Sequence, residues 1–257
     1  MINEMLSNIK TKQSVEYTLN IKKSYHQTSK NKTKNKIGLV IPVYNEEKNI
    51  PYVINKKYLQ FIDEIIVIDG NSKDNTIAMT KKLLPSAKIY TQKSKGKGGA
   101  MMESLQYSSC DYLIFIDGDA SMGMHEIPMF IQKIEQGFDF IKGTRFAYGG
   151  GSSDLSPVRM FGNLFFTLLT NLLYKQNFTD LCYGYFAIKR TLMNKLTLKE
   201  TGFGIETELA LKAVKFNAKI TEVGSFEAKR KYGKSNLRTL FDGLTILKTI
   251  FKNKLFL

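Results

Sequence analysis

Short apolar runs alternate with polar and amphipathic stretches along the first half of the chain. Four runs have the length of buried strands, at residues 37–43, 64–68, 88–90 and 112–116. Helical spacing is found between them, at residues 46–58 and 74–84, and the Gly-rich stretch 95–99 opens a third predicted helix. Because the strand runs are continuously apolar, they suit strands buried on both faces. The pattern therefore predicts an α/β fold, with a mostly parallel sheet flanked by helices in a single domain.

Both ends of the chain depart from this alternation. The first 36 residues are polar and rich in lysine, which predicts a basic arm over residues 1–36. Residues 237–257 have apolar positions at helical spacing, with lysine and arginine between them, which predicts an amphipathic basic helix. We therefore predict the domain itself over residues 37–236.

The longest uncharged run covers residues 160–174. A helix needs about 20 apolar residues to span a bilayer, and this run is shorter and contains asparagine and threonine. It predicts a buried or interfacial helix. The N-terminus lacks the apolar core of a signal peptide. We therefore expect a cytoplasmic protein, soluble or held peripherally at the inner face of the membrane.

The charge of the chain indicates anionic partners. The 257 residues carry a formal net charge of +15, which suits a nucleotide, a lipid phosphate, a membrane surface or a nucleic acid. The two cysteines, Cys110 and Cys182, lie far apart and match no paired metal-ligand spacing. A disulfide framework and a zinc site are therefore disfavoured.

Carboxylates follow the predicted strands at the points where the strands end. Glu46 comes shortly after the first run, Asp69 follows the second, and Asp117 and Asp119 follow the fourth. Ligands of such sheets bind outside the carboxyl ends of the strands. Two carboxylates one residue apart can hold Mg²⁺ or Mn²⁺, with diphosphate oxygens completing the coordination. The alternative is an ordinary turn, where Asp and Gly are also favoured.

Several enzyme classes are disfavoured by what the chain lacks. Backbone N–H groups and lysines of residues 95–100 could face a phosphate at a helix N-terminus. However, the P-loop spacing is absent, and the dinucleotide fingerprint is absent after the first strand, which argues against an NTPase or a dehydrogenase. His26 and His125 are not placed for acid–base work, which argues against a hydrolase with a histidine-centred triad.

Four segments, taken in order, resemble family 2 glycosyltransferases with the GT-A fold: residues 41–47, 64–76, 96–100 and 111–119. Within that family they are most similar to the dolichol-phosphate mannose synthase branch and its bacterial polyprenyl-phosphate glycosyltransferase relatives. The match continues through residues 142–146, 179–180, 202–203, Glu206 and residues 230–235. It covers roughly residues 37–250 and leaves out the N-terminal arm.

The resemblance implies a nucleotide-sugar donor, Mg²⁺ or Mn²⁺ held by Asp117 and Asp119, and roles for named residues. The implied donor-binding residues are Pro42, Tyr44, Asn45, Glu46, Asp69, Lys97, Gly98 and Asp117. The implied catalytic residues are Asp119, Arg145 and Arg230, and the implied acceptor-binding residues are Arg159, Lys229 and Ser235.

The acceptor that this branch implies is a polyprenyl phosphate. Such a phosphate is already anionic, so it can attack the anomeric carbon without a general base. The donor motifs fit a saccharide or a small phosphorylated acid equally well. For a hydroxyl acceptor, Glu206 or Glu208 could act as the base; alternatively, Glu206 orients Arg230 by an ion pair.

Two further classes explain part of the pattern. A nucleic-acid-binding module would explain the basic charge, but not the carboxylates gathered at strand ends. A sugar nucleotidyltransferase would share the layered fold, but its Gly-rich loop usually follows the first strand, where this chain has Pro-Val-Tyr-Asn-Glu. We therefore expect an anionic membrane surface rather than nucleic acid as the larger partner.

Overall fold

The computed structural model of the protein describes Leu19, Lys22, Lys23, residues 35–233 and residues 238–255. The predicted arm over residues 1–36 therefore lies almost wholly outside the described residues. Ser235 and the two ends of the predicted helix over residues 237–257 lie outside them as well.

The described elements follow one another as strands and helices with short connections. The strands are β1 (Ile37–Val43), β2 (Glu64–Asp69), β3 (Lys88–Thr91), β4 (Tyr112–Phe115), β5 (Phe140–Thr144), β6 (Gly151–Ser152), β7 (Phe186–Lys189), β8 (Ile220–Gly224) and β9 (Phe226–Glu227). The helices are α1 (Ile50–Val53), α2 (Thr76–Leu83), α3 (Gly96–Tyr107), α4 (Ile127–Glu135), α5 (Pro157–Tyr174), α6 (Arg190–Lys195), α7 (Ile205–Lys215) and α8 (Thr239–Leu255), with 3₁₀ turns at Lys56–Phe61 and Met124–Glu126.

A mostly parallel sheet organises the described part of the chain. Seven strands lie in the order β3-β2-β1-β4-β7-β5-β8. Strand β7 runs antiparallel to both of its neighbours, and the other pairs are parallel. The predicted α/β architecture is confirmed. The antiparallel β7 was not predicted, and it enters the sheet beside the carboxyl end of β4, where Phe115 pairs with Phe186.

Side chains of the central strands alternate between two cores. Leu39 and Ile41 of β1 pack in one cluster, beside helix α4, whereas Val40 packs in the other, beside α3 and α7. Because successive side chains of a strand point to opposite faces, a continuously apolar strand must be covered on both. Helices on both faces of the sheet meet that requirement.

The predicted helix over residues 46–58 is wrong in extent. A helix forms only at Ile50–Val53, with a proline in its first turn, and a 3₁₀ turn follows at Lys56–Phe61. Pro51 is compatible with a helix start but could not lie within a longer helix. The preceding residues instead bind the start of α2: the N–H of Glu46 donates to Oγ1 of Thr76, the first residue of that helix, at 2.8 Å. This arrangement keeps Glu46 at the rim of the sheet.

Helix α5 contains the uncharged run noted in the sequence. Its buried residues include Asn163, Thr167 and Thr170, whereas most of its large apolar side chains are exposed. None of the helices in the described part of the chain combines the length and the apolar composition needed to cross a membrane.

Candidate active site

A cavity of about 430 Å³ lies at the carboxyl ends of β1, β2 and β4. Its volume falls in the range of small-molecule sites. The lining comprises Pro42, Val43, Tyr44, Glu46, Gly70, Gln92, Gly96, Lys97, Ala100, Asp117, Gly118, Asp119, Gly202, Phe203 and Arg230. Seven of the residues singled out in the sequence are therefore brought together here: Pro42, Tyr44, Glu46, Lys97, Asp117, Asp119 and Arg230.

Asp117 shares a lysine with a second carboxylate. The Nζ of Lys97 lies 2.6 Å from Asp117 Oδ1 and 2.9 Å from Glu206 Oε1. Desolvation raises the pKa of Asp117 to about 6; Lys97 opposes this shift, and Asp119 adds to it. Burial acts to lower the pKa of Lys97, but Asp117 and Glu206 raise it above its ordinary value. Lys97 is therefore a firmly protonated cation between two carboxylates, and Glu206 forms an ion pair with Lys97.

Asp119 is held by an arginine from the far end of the domain. The Nη2 of Arg230 lies 2.6 Å from Asp119 Oδ2, and Asp119 Oδ1 accepts the N–H of Ser121 at 2.9 Å. Residues 119 and 230 are separated by 111 positions in the sequence. Each carboxylate of the Asp-Gly-Asp motif thus has its own basic side chain.

The charge balance of this cavity suits a divalent cation. Its described lining holds three carboxylates, Glu46, Asp117 and Asp119, but two cations, Lys97 and Arg230, and Lys97 is shared with Glu206. Burial is also the main cause that raises the pKa of Glu46. No cluster of three or more metal-ligating side chains occurs among the described residues. Two adjacent carboxylates without a full protein cage are the donor set that Mg²⁺ uses when substrate phosphates and water complete its coordination.

Glycines shape the first turn of α3, which carries Lys97. Gly96 has a φ of +73°, and a Cβ there would lie 2.2 Å from the carbonyl oxygen of Thr201. Gly98 donates its N–H to that same oxygen at 3.0 Å, and a Cβ on it would meet the carbonyl oxygen of Glu200 at 2.3 Å. Gly98 therefore lies against residues 200–201 and is not among the cavity-lining residues, whereas Gly96 is.

Asn45 and Asp69 connect the loops behind the cavity. Asn45 has a φ of +56°; its N–H donates to Ser72 Oγ at 2.9 Å, and its Oδ1 accepts the N–H of Lys73 at 2.7 Å. The buried carboxylate of Asp69 accepts the N–H of Ser72. Neither side chain is among those lining the cavity. Their predicted donor contacts stay predictions.

Arg145 lies in a buried ion network. Its Nε and Nη2 reach the two oxygens of Asp180 at 2.7 and 3.0 Å, and its Nη1 lies 3.1 Å from Glu227 Oε2. Arg145 also borders a second cavity, of about 500 Å³, between helices α5 and α8. Arg159 lines the same cavity and lies 3.7 Å from Asp154.

The remaining predicted acceptor residues lie elsewhere. Lys229 is exposed, and its backbone N–H donates to Ser153 Oγ at 2.8 Å. Ser235 is outside the described residues. The structure also adds Gln92 and Phe203 to the first cavity. Neither was assigned a role from the sequence, where Phe203 appears only in the Gly202-Phe203 match. A phenylalanine between glycines in a polar loop is the signal that could have marked Phe203.

Comparison with known proteins yields a family and several relatives. Residues 39–197 match the model of Glycosyl transferase family 2. Glycosyltransferase AglJ of Haloferax volcanii is 29% identical over 227 residues, covering 86% of this chain and 72% of that protein. The dolichol-phosphate mannosyltransferase of Pyrococcus furiosus is 27% identical over 233 residues, covering 84% of this chain and 64% of that protein.

Solved structures share the fold. Glucosyl-3-phosphoglycerate synthase from Mycobacterium tuberculosis, in complex with Mn²⁺ and UDP-glucose, superposes with a TM-score of 0.69 at 21% identity, covering 91% of this chain and 82% of that chain. The same enzyme has been crystallised with phosphoglyceric acid, with a TM-score of 0.70. These likenesses confirm the GT-A fold expected from the sequence.

Proposed function

The chain belongs to glycosyl transferase family 2, in which it resembles the dolichol-phosphate mannose synthase branch, and we propose that it transfers a sugar from a nucleotide-sugar to a polyprenyl phosphate in a metal-dependent reaction. The observation that carries the proposal is an acidic cavity in a protein of net charge +15. These carboxylates would repel a nucleotide diphosphate, and a bridging divalent cation would supply positive charge beyond that of Lys97 and Arg230.

The donor half of the proposal assigns the first cavity to the nucleotide-sugar. The nucleoside would contact Pro42, near the carboxyl end of β1, and Tyr44 and Glu46, which follow that strand at the rim of the sheet. Asp117 and Asp119 would hold Mg²⁺ or Mn²⁺. When bound, such an ion would take up charge that develops on the leaving diphosphate. Solved relatives of this fold bind UDP together with Mn²⁺ or Mg²⁺, which supports this assignment.

Lys97 and Arg230 contribute the remaining positive charge. Both already lie at hydrogen-bond distance from the motif carboxylates, so a small side-chain movement would bring either to phosphate oxygens in the same cavity. Preorganised cations of this kind stabilise the transition state of transfer to or from a phosphate. In the reaction, an acceptor phosphate oxygen bonds to the anomeric carbon while the bond from that carbon to the donor diphosphate breaks. No proton needs to be removed from an ionised phosphate.

The acceptor half rests on one basic residue beside Arg230 in sequence and on the lining of the second cavity. Exposed Lys229 adjoins Arg230 in sequence, and the second cavity is lined largely by apolar side chains next to Arg145 and Arg159. A phosphate linked to a long hydrocarbon chain needs both kinds of surface. The dolichol-phosphate mannosyltransferase relative, by its name, supports a lipid phosphate as the acceptor.

The test is a transfer assay with separate acceptor arms. Labelled UDP-, GDP- and dTDP-sugars are incubated with the full chain and Mg²⁺, and with polyprenyl phosphate, phosphoglycerate or polysaccharide. We expect label in a chloroform-soluble product that mild acid releases. Label in phosphoglycerate or polysaccharide would overturn the lipid acceptor but keep the donor assignment. Absence of transfer and of nucleotide binding with every donor would overturn the function.

A further inference from the structure

Lys142 is a buried lysine that no step described above uses. It lies in the middle of β5, and its side chain has no exposed surface. Lysine is almost never fully buried unless an acidic partner lies beside it. The Nζ of Lys142 donates to the carbonyl oxygens of Leu181 and Tyr183, at 3.3 Å each, and forms no ion pair with the described residues. A cation is therefore buried here to hold two backbone oxygens.

The stability of the fold gives no reason for a cation at this position. Burial lowers the pKa of Lys142, and the nearby carboxylates of Asp180, Glu222 and Glu206 act in the opposite direction. Burying a charge costs free energy, which hydrogen bonds to neutral oxygens offset only in part. An apolar side chain of similar length would fill the same space. Departures from such rules concentrate at functional sites, which points to a role for Lys142 beyond folding.

The two oxygens belong to residues 180–184, which are called the dividing segment below. Two N–H groups of this segment are held by α5: that of Leu181 donates to Thr167 Oγ1 at 3.1 Å, and that of Cys182 donates to Asn163 Oδ1 at 3.0 Å. Its carbonyl oxygens bind the lysine on β5. The backbone of the dividing segment is therefore fixed between a helix and a strand.

One end of the dividing segment lies against residues of the first cavity. A Cβ on Gly184 would lie 2.4 Å from the Nζ of Lys97 and 3.2 Å from Glu206 Oε1. It would also lie 3.5 Å from Asp117 Oδ2. Lys97 and Asp117 line the first cavity. The backbone of Gly184 is therefore packed directly against the ion pairs that hold the lysine in that cavity.

The other end of the dividing segment lies against the second cavity. Asp180 binds the guanidinium of Arg145, and both Arg145 and Cys182 line that cavity. Residues two apart in a chain are separated by at most about 7 Å. From Cys182 to Gly184, the chain therefore passes from the lining of one cavity to the ion pairs of the other. The position of this backbone helps to set the distance between Arg145 and Lys97.

We propose that Lys142 is a positioning residue for sugar transfer: by holding the carbonyl oxygens of Leu181 and Tyr183, it fixes the dividing segment and with it the distance between donor and acceptor. This role rests on the proposed function, which assigns the donor to the first cavity and the acceptor to the side of Arg145. Because its side chain is fully buried, Lys142 touches neither substrate. Its effect is on alignment, and a displacement of about 1 Å between reacting groups can cost a hundredfold in rate.

Lys142→Met tests this role, because methionine has a similar length but no N–H group. The assay uses polyprenyl phosphate, Mg²⁺ and whichever labelled UDP-, GDP- or dTDP-sugar the wild-type chain transfers. We expect kcat to fall by about tenfold or more, because the reacting groups are misaligned. Nucleotide affinity, titrated with Mg²⁺ and without acceptor, should change less than about twofold, because the predicted nucleoside and metal contacts lie outside the dividing segment.

The control is a core variant that does not touch the dividing segment. Ile134→Ala opens a cavity in the core at the end of α4, so it should lower the unfolding midpoint and leave kcat normal. Lys142→Gln keeps an N–H donor and should retain more turnover than Lys142→Met. If Lys142→Met does not fold, the comparison of Lys142→Gln with Ile134→Ala decides in its place.

Gly184→Ala disturbs the dividing segment and leaves Lys142 unchanged. Its Cβ must displace Lys97 or shift the backbone, so kcat should fall here too. In the double variant, Lys142→Met should add less than its own factor, because both changes act on one segment.

The outcomes separate this role from the proposed function. A normal kcat in Lys142→Met would overturn the role alone, provided that the wild-type chain transfers sugar. So would a kcat loss that Ile134→Ala reproduces at the same unfolding midpoint, or an equal loss of nucleotide affinity. A wild-type chain that neither binds nucleotide nor transfers sugar would overturn the proposed function, and the role of Lys142 with it.

Discussion

The side-chain amide of Asn49 binds both backbone polar groups of Tyr232, the carbonyl oxygen and the N–H. Asn49 Nδ2 donates to the carbonyl oxygen of Tyr232 at 3.1 Å, and the N–H of Tyr232 donates to Asn49 Oδ1 at 3.1 Å, across 183 residues of sequence. The same Nδ2 donates to Glu46 Oε2 at 2.6 Å. One buried amide therefore connects the predicted donor residue Glu46 with the segment that carries Arg230.

We predict that Asn49→Ala lowers kcat/KM for the acceptor about tenfold, because losing two hydrogen bonds of about 1 kcal/mol each lets the Arg230 segment move. Nucleotide affinity should change less than about twofold. Steady-state kinetics and nucleotide titration measure the two effects. Equal losses in both would assign Asn49 to donor binding, and a lower unfolding midpoint with normal kinetics would leave it a structural role alone.

We predict that Asp119→Asn lowers turnover about a thousandfold, because the neutral amide cannot hold a divalent cation against the diphosphate charge, an effect of about 4 kcal/mol. Excess EDTA should abolish wild-type activity, and added Mg²⁺ or Mn²⁺ should restore it. Full turnover in excess EDTA would contradict a role for a metal ion in the reaction.

Arg230→Ala should separate acceptor use from donor binding. The guanidinium of Arg230 forms an ion pair with Asp119, so the substitution frees that carboxylate for a metal ion. Metal-dependent nucleotide affinity should therefore stay unchanged or rise. Acceptor kcat/KM should fall about a hundredfold, in line with loss of one charge-assisted contact. Lys231→Ala is the matched control, because it removes the same charge one residue away, where Lys231 lies over the Tyr52 ring at 3.7 Å. Loss of nucleotide affinity in Arg230→Ala would indicate that Arg230 binds the donor and not the acceptor.

Arg145→Met tests whether the buried arginine supports the fold. Its removal leaves Asp180 and Glu227 without their shared cation, so the free energy of unfolding should fall by about 3–5 kcal/mol. Arg159→Met, in the same cavity but paired at the looser distance of 3.7 Å, should cost less than about 1 kcal/mol. Denaturant titration compares them. Wild-type stability with absent turnover in Arg145→Met would instead support direct contact with substrate.

The two cysteines should resist alkylation in the folded protein. Burial raises the pKa of Cys110 to about 11 and that of Cys182 to about 12, so both thiols stay protonated at neutral pH. Folding stability should not depend on them below about pH 8, and should fall above it, where the unfolded chain loses these protons first. Mass spectrometry after iodoacetamide treatment should find both unmodified in the native state and modified in denaturant. Cys182 is partly exposed at the second cavity, so rapid native labelling of it would contradict the raised pKa of its thiol.

The strands and the acidic rim could be predicted because each depends on local sequence. A continuous apolar run such as residues 112–116 can be satisfied only by burial on both faces, and Asp117 and Asp119 follow it directly. The carboxyl ends of parallel strands meet at one edge, so the cavity followed from the same reasoning.

Pairings between distant residues could not be predicted. Arg145 is one of many basic residues in the sequence, and its burial depends on Asp180, 35 positions later, and on Glu227. The orientation of α5 was equally inaccessible, because the pattern of residues 160–174 is the same whichever side faces the domain. Its polar side faces inward because neighbouring backbone groups bind it, among them the N–H groups of Phe178, Leu181 and Cys182.

The pairing of α5 with α8 has a mechanical consequence. Near the ends of the two helices, the Tyr174 hydroxyl donates to the carbonyl oxygen of Ile250, and the Nζ of Lys254 donates to the carbonyl oxygen of Leu173. The first turns of the same helices line the second cavity. Sliding of α8 along α5 would break both bonds. The last turns of the helices therefore act as a latch that sets the width of the cavity between their first turns.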